Sequence, residues 1–180
     1  ERSLAALGVD RIDLYQLHAP DPRVPFAHSV GALADLQREG KIRWVGLSNV
    51  SVDEIVEATA IVPVVTVQNR LNPFFREALV EGVVAHCGRE GIGFLAYSPV
   101  GGGRLNQKLP GHPVVAAISA RHQVSAHAVV LAWVLAQGSS VIIIPGARTP
   151  EHARDSAGVA GLQLTPADLA DLTGAAFSRA

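Results

Sequence analysis

The 180-residue sequence has one cysteine, Cys87, which excludes an internal disulfide and a cysteine-based zinc site. Cys87 falls in a stretch with helical spacing, where a buried, inert thiol is expected. Aromatic residues make up only 5% and the formal net charge is −1, so there is neither a basic footprint nor a set of stacking rings for nucleic acid. No apolar run reaches the roughly 18 residues of a membrane span. Nothing at Glu1 resembles a charged-then-apolar export signal, so a cytoplasmic protein with a small-molecule partner and no membrane partner is expected. The chain begins at Glu1 rather than methionine, inside what reads as the end of an amphipathic helix from Arg2 to Leu7. That start has the look of a cut.

Hydrophobic residues at 48% against 17% charged are enough for a sizeable core, and the length suits one domain over residues 1–180. There is no low-complexity segment or interdomain linker; Gly101-Gly102-Gly103 is a short connection. Five apolar, β-rich runs read as strands: Ile12 to His18, Trp44 to Leu47, Val64 to Gln68, Gly93 to Tyr97 and Val141 to Ile144. Between them Phe26 to Glu39, Asp53 to Ala60, Arg76 to Glu90 and Pro113 to Ala136 carry apolar residues three or four apart and read as helical. Ser51 followed by Glu54, Thr149-Pro150 and Thr165-Pro166 mark helix starts. Gly40, Gly91 and Gly138 are expected to close helices in the left-handed conformation.

Regular βα alternation with nearly continuous apolar strands implies an α/β fold of parallel strands covered on both faces, either a closed barrel or an open doubly wound sheet. A nucleotide-binding open sheet normally has a Gly-rich turn after its first strand. Here Ile12 to His18 runs into Ala19-Pro20-Asp21-Pro22, which favours the barrel. In barrels the active site lies at the C-terminal strand ends. Those ends are His18, Ser48-Asn49, Gln68-Asn69, Tyr97-Ser98 and Pro145-Gly146. Singly each is unremarkable, since Ser and Asn cap helices well and a lone histidine is as often a hydrogen-bonded core residue.

Together they resemble a known family. Arg11-Ile-Asp-Leu-Tyr-Gln-Leu-His18, Gly40-Lys-Ile-Arg-Trp-Val-Gly-Leu-Ser-Asn49, Val67-Gln-Asn69, Ala96-Tyr-Ser-Pro-Val-Gly-Gly-Gly-Arg-Leu105 and Ile144-Pro-Gly-Ala-Arg-Thr-Pro-Glu-His152 are similar, in order, to aldo-keto reductase motifs. The resemblance implies a parallel (β/α)₈ TIM barrel of which about five βα units are present. It also implies an NAD(P)H-dependent oxidoreductase that reduces aldehyde or ketone carbonyls to alcohols.

By that resemblance His18 matches the histidine that orients the substrate carbonyl. Ser48, Asn49 and Gln68 match the side chains that hold the nicotinamide carboxamide, a group that both donates and accepts. Tyr97 matches the ring on which the nicotinamide stacks. Ser98, Val100 and Gly101 match the loop around the pyrophosphate, where glycine lets backbone N–H groups approach. The segment Gly146, Ala147, Arg148 to His152, Asp155 and Ser156 matches the adenosine-phosphate site. Arg148 is the candidate contact for a 2′-phosphate and favours NADPH, with NADH possible. Two departures blur that preference: Asp155-Ser156 stands where an acid and asparagine often grip the adenine, and His152 where an arginine is common.

The family's reaction also uses a tyrosine proton donor tuned by a lysine and an aspartate, all from units that precede His18 in the family. The sequence holds only Tyr15, Tyr97, Lys41 and Lys108 as tyrosines and lysines, and none is a convincing substitute. An eight-unit barrel takes about 250 residues, so roughly three strands are expected to be missing from these 180. The expectation is therefore a truncated reductase, inactive alone, that needs the remaining barrel units or associates with itself through open sheet edges. The alternative is a non-catalytic nucleotide-binding or interaction protein. A metal-dependent hydrolase built on His18 lacks a second histidine or paired carboxylate at a neighbouring strand end.

Overall fold

The computed structural model describes residues 1–180. Strands β1 (Ile12–Leu17), β2 (Ile42–Ser48), β3 (Val64–Arg70), β4 (Gly93–Tyr97) and β5 (Val141–Ile144) form one sheet in the order β1-β2-β3-β4-β5, and all four neighbouring pairs are parallel. Each strand lies beside its predecessor with no reversal of order. That is how a barrel wall grows, whereas an open doubly wound sheet reverses direction at a switch point.

The helices are α1 (Arg2–Leu7), α2 (Phe26–Arg38), α3 (Val52–Thr59), α4 (Glu77–Val80), α5 (Val83–Glu90), α6 (Pro113–His122), α7 (Ala126–Leu135), α8 (Pro150–Gly158) and α9 (Pro166–Gly174). Local chemistry sets several starts. The Ser51 hydroxyl accepts from Glu54 N at 3.3 Å while the Glu54 carboxylate accepts from Ser51 N at 2.7 Å, a reciprocal cap on α3. Thr165 and Asp168 do the same for α9, and Thr149 caps α8 ahead of Pro150.

Two expected helices are broken. The stretch Arg76 to Glu90 divides into α4 and α5 because Gly82 sits in the left-handed region at φ 79°. The stretch Pro113 to Ala136 divides into α6 and α7, which meet at 94°, with Gln123 left-handed at φ 54° and Ser125 starting the second helix. Gly91 and Gly40 have the expected positive φ, but Gly138 does not; α7 closes through Ala136 in the right-handed region. No single helix is long and apolar enough to cross a membrane. The apolar character of α7 reflects burial on every side, from Ala128 to Val134.

Alternation along the strands separates two faces. Val45 and Leu47 of β2, Val67 of β3, and Phe94 and Ala96 of β4 are fully buried against Val30, Ile55, Val83, Val130, Trp133 and other helix residues. The opposite face carries Gln16, Gly46, Thr66, Gln68 and Tyr97. A register shift at Val45/Gly46 leaves Val65 as the extra residue of β3. Gly46 is required there: a Cβ would fall on Thr66 Oγ1 and 2.7 Å from Gln16 Cγ. On this face Trp44, Ile142 and Ile144 remain 43%, 53% and 40% exposed.

The C-terminal segment after α9 braces the loops at one end of the sheet. Arg76 donates to the carbonyls of Leu172 and Ala175 at 3.0 and 3.3 Å, and His112 stacks on Phe177 with ring centres 4.1 Å apart.

Candidate active site

The C-terminal ends of the strands are joined by a chain of hydrogen bonds. The Ser48 hydroxyl donates to the Gln68 carbonyl at 2.7 Å. Asn49 Nδ2 donates to the His18 carbonyl at 3.0 Å and to Ser48 Oγ at 3.1 Å. The Tyr97 hydroxyl donates to Asn49 Oδ1 at 2.8 Å. Thus the ends of β1, β2 and β4 meet at the Asn49 side-chain amide, and the end of β3 joins them through Ser48. Asn49 holds φ 58°, a left-handed conformation that asparagine tolerates better than most side chains. Ser48 is buried, whereas the His18 imidazole is exposed and only its carbonyl joins the network. Gln68 likewise enters through its carbonyl.

Beyond Tyr97 the chain turns through Ser98 at φ 49° and the glycines Gly101, Gly102 and Gly103 at φ 90°, 63° and 43°. Gly101 is glycine for packing as well as for φ, since a Cβ would lie 2.9 Å from Leu105 and 3.0 Å from Phe74. Ser98, Val100, Gly146, Ala147, Arg148 and His152 line one cavity at the mouth of this loop. Val100, Gly146, His152, Asp155 and Ser156 also line an adjoining cavity of about 240 Å³. The residues expected around a nucleotide therefore form two groups at one end of the sheet, with Tyr97-Ser98 between them. Asp155 is already engaged: its carboxylate accepts from Ser125 Oγ at 2.7 Å.

Sequence marked Asn69 only as a strand end, without a role, and did not single out Asn72, Arg70, His127 or Asn106 at this end. Asn69 Oδ1 accepts from Val50 N at 3.2 Å and its Nδ2 donates to Val50 O at 2.7 Å, fixing the loop after β2. Buried Asn72 donates to the Ser98 carbonyl at 2.9 Å and accepts from Phe74 N at 2.9 Å, locking the turn after β3 to the glycine loop. The Asn72-Pro73 pair is a turn signal that could have flagged it. Arg70 lies 4.5 Å from the Phe75 ring centre and 5.4 Å from that of Tyr97. His127 and Asn106 line the cavity with His152 and Asp155.

Neither lysine lies free at the mouth. Lys41 pairs with Glu1 at 2.6 Å and Glu39 at 2.8 Å before β2, at the opposite end of the strands, which raises its pKa above the usual lysine range. Lys108 donates to the carbonyls of Ser178 and Ala180. Tyr15 pairs in register with fully buried Val45 and packs against the core on the helix-covered face. Burial pushes the Cys87 thiol up to about 11, keeping it protonated. No group of three or more His, Cys, Asp or Glu is arranged to hold a metal.

The sequence profile described as the aldo/keto reductase family matches residues 1–176. The chain is 39% identical over 163 residues to an uncharacterized oxidoreductase of Schizosaccharomyces pombe, covering 91% of this chain and 52% of that protein. It is 33% identical to a probable aldo-keto reductase of Glycine max, covering 96% of this chain and 57% of that one. A solved thermostable aldo-keto reductase in complex with the inhibitor epalrestat superposes with a TM-score of 0.86 at 29% identity, over 95% of this chain and 62% of that one. A Klebsiella pneumoniae aldo-keto reductase in complex with NADPH gives 0.84 at 27%, over 94% and 60%. The chain thus spans between 52% and 59% of the length of the curated relatives it matches. Five sequentially ordered parallel strands, polar residues gathered at their C-terminal ends and a profile match over nearly every residue lead to one assignment: this chain belongs to the aldo/keto reductase family.

Proposed function

We propose that the chain forms the nicotinamide-binding part of an NAD(P)H-dependent oxidoreductase that reduces aldehyde or ketone carbonyls to alcohols. The observation that carries this reading is the convergence of Tyr97, Asn49 and Ser48 on one hydrogen-bonded network beside a glycine turn. Its donor set suits a dinucleotide. Ser48, Asn49 and Gln68 offer hydroxyl and amide groups to a carboxamide, Tyr97 offers a ring face, and the loop from Ser98 to Gly103 has the open backbone a pyrophosphate needs. Similarity to a structure solved with NADPH supports the choice of cofactor. When bound, the cofactor supplies the hydride.

In this reading the chain positions rather than protonates. Asn49 exchanges one of its internal bonds for the carboxamide and keeps its left-handed backbone. Tyr97 supports one face of the ring, leaving the other toward the substrate. His18 orients the carbonyl oxygen. Arg148, at the N-terminal side of α8, meets the adenosine phosphate, which favours NADPH over NADH.

A second reading, a non-catalytic nucleotide-binding or interaction protein, is favoured by one observation: Tyr97 and both lysines already have polar partners within the chain, and Tyr15 packs against the core on the helix-covered face. Titration of the purified chain with NADPH, following nicotinamide fluorescence, tests the cofactor reading. Saturable binding weakened by Asn49→Ala is expected, and absence of binding to a folded chain would overturn it. Assay with an aldehyde after the chain is joined to the N-terminal barrel units of a full-length relative then separates the two readings: turnover is expected from the first and none from the second.

A further inference from the structure

The segment after α9, residues 175–180, has no regular secondary structure and is held in place by side chains from elsewhere in the chain. Arg76 donates to the Ala175 carbonyl at 3.3 Å, His112 Nε2 to that of Ala176 at 3.2 Å and Lys108 Nζ to that of Ser178 at 3.4 Å. Two side chains of the segment lead back to the mouth of the sheet. Phe177 stacks on His112 and meets the Phe74 ring edge-on, with ring centres 5.3 Å apart. Phe74 in turn abuts Gly101, where an added Cβ would lie 3.0 Å from that ring. Arg179 donates to the Phe74 carbonyl at 2.6 Å and lies 4.0 Å from the Phe75 ring centre. Arg70 lies 4.5 Å from the same ring centre and 5.4 Å from that of Tyr97. Arg179, Phe75, Arg70 and Tyr97 thus form an alternating series of guanidinium and ring from the segment to the end of β4.

The mouth needs such a brace. Ser98 sits at φ 49° and Gly101, Gly102 and Gly103 all have positive φ, a conformation that is costly for serine and only one of many open to glycine. Within the turn, Gly101 N donates to the Ser98 carbonyl at 2.8 Å and Leu105 N to that of Gly102 at 3.0 Å. Outside it, Asn72 donates to the Ser98 carbonyl at 2.9 Å and accepts from Phe74 N at 2.9 Å, so the Asn72 bond and the Phe74 ring brace the turn from one place. That place, the turn after β3, is where Phe177 and Arg179 bear.

We propose that Phe177 and Arg179 are positioning residues: through Phe74, and through Phe75 and Arg70, they hold the glycine turn and the Tyr97 ring in the arrangement that receives a dinucleotide. This rests on the cofactor reading above and goes beyond it, because the segment lines neither cavity beside the glycine turn. A ligand that binds only one arrangement of a loop loses apparent affinity in proportion to the time the loop spends in others. Holding the turn before binding removes that loss and the cost of ordering it. Phe177 is half-buried and Arg179 exposed, so both can be changed without opening the core.

The test compares the purified chain with Phe177→Ala and with Arg179→Gln by two measurements, because a variant that merely loosened the fold would weaken every ligand. The first is hydrogen exchange without ligand. Phe177→Ala should speed exchange of the amides from Gly101 to Leu105 by about three- to tenfold, the factor an edge-to-face ring pair carries, and leave those of α2 and α3 unchanged. The second is titration with NADPH and with adenosine 2′,5′-bisphosphate, which has neither pyrophosphate nor nicotinamide. Phe177→Ala should weaken NADPH by about three- to tenfold and leave the bisphosphate unaffected. Arg179→Gln should act in the same direction to a smaller degree, and it decides the matter alone if the Phe177 variant does not fold. If both ligands weaken equally, or exchange rises throughout the chain, the segment supports only the fold and the proposal is overturned. If the wild-type chain binds NADPH and neither variant changes the affinity, the proposal is overturned and the cofactor reading stands. If the folded wild-type chain binds no NADPH, the cofactor reading fails and this inference with it.

Discussion

Tyr97 at the end of β4 donates its hydroxyl hydrogen to Oδ1 of Asn49, 2.8 Å away and 48 residues earlier in the sequence. Asn49 in turn donates to the His18 carbonyl and to Ser48, so one amide ties the mouth of the sheet together. Tyr97→Phe removes a single exposed bond and is expected to lower stability by about 1 kcal/mol or less. Asn49→Ala removes three bonds and leaves alanine at φ 58°, so a loss of about 2 kcal/mol or more is expected. Urea unfolding of the two variants checks the order; equal losses would mean that the network does not hold the mouth.

Gly46 has no room for a methyl group. Gly46→Ala should destabilise the chain by about 1–3 kcal/mol, because the new carbon meets Thr66 and Gln16 across the sheet. Adding Gln16→Ala and Thr66→Ala should restore part of the loss, and thermal unfolding reads the recovery. Additive losses in the triple variant would argue against this contact as the cause.

Asp168 is buried between α6 and α9, accepting from Arg121, from His122 at 2.8 Å and from the Thr165 hydroxyl at 2.7 Å. Burial alone would raise its pKa, but the bonds from His122 and Thr165 and the Arg121 charge together pull it from 3.8 to about 2. A depressed folded pKa contributes stability that is complete above the unfolded value and is lost as pH falls, here between about 4 and about 2. Asp168→Asn should therefore cost about 2 kcal/mol near neutrality and flatten the acid limb of stability against pH. An unchanged acid limb would show that other carboxylates govern it.

With NADPH and an aldehyde, these 180 residues alone are expected to bind cofactor without steady turnover. Tyr97 is held by Asn49, Tyr15 faces the helices, and both lysines are engaged. Loss of one acid–base group commonly costs about 10²- to 10⁴-fold in rate. Turnover abolished by changing Tyr15 or Lys108 would reveal a donor within the chain.

Trp44, Ile142 and Ile144 expose apolar area on the face opposite the helices. Covering one such side chain contributes on the order of 1.5–3 kcal/mol. The isolated chain is expected to self-associate through that face and the free sides of β1 and β5. Light scattering after size exclusion decides this, and a monodisperse monomer at micromolar concentration would contradict it.

Much of the fold was legible because its signals are local. The caps at Ser51, Thr149 and Thr165 are bonds across three residues, and those three helices start where the sequence places them. The five strands emerged from short apolar runs, with ends displaced by at most two residues. The breaks at Gly82 and Gln123 were missed because helical spacing continues across them, and only packing decides that α6 and α7 turn through 94°.

The sequence by itself determined the alternation of elements, the polar character of the strand ends and the family to which they belong. Each depends on residue type and spacing along the chain. Tertiary structure alone decided which of those ends share a partner: Asn49 with Tyr97, Asn72 with Ser98, and Asp155 with Ser125 rather than free in its cavity. These bonds span 48, 26 and 30 residues, and over such separations the partner is chosen by strand register and helix packing, which no local pattern encodes.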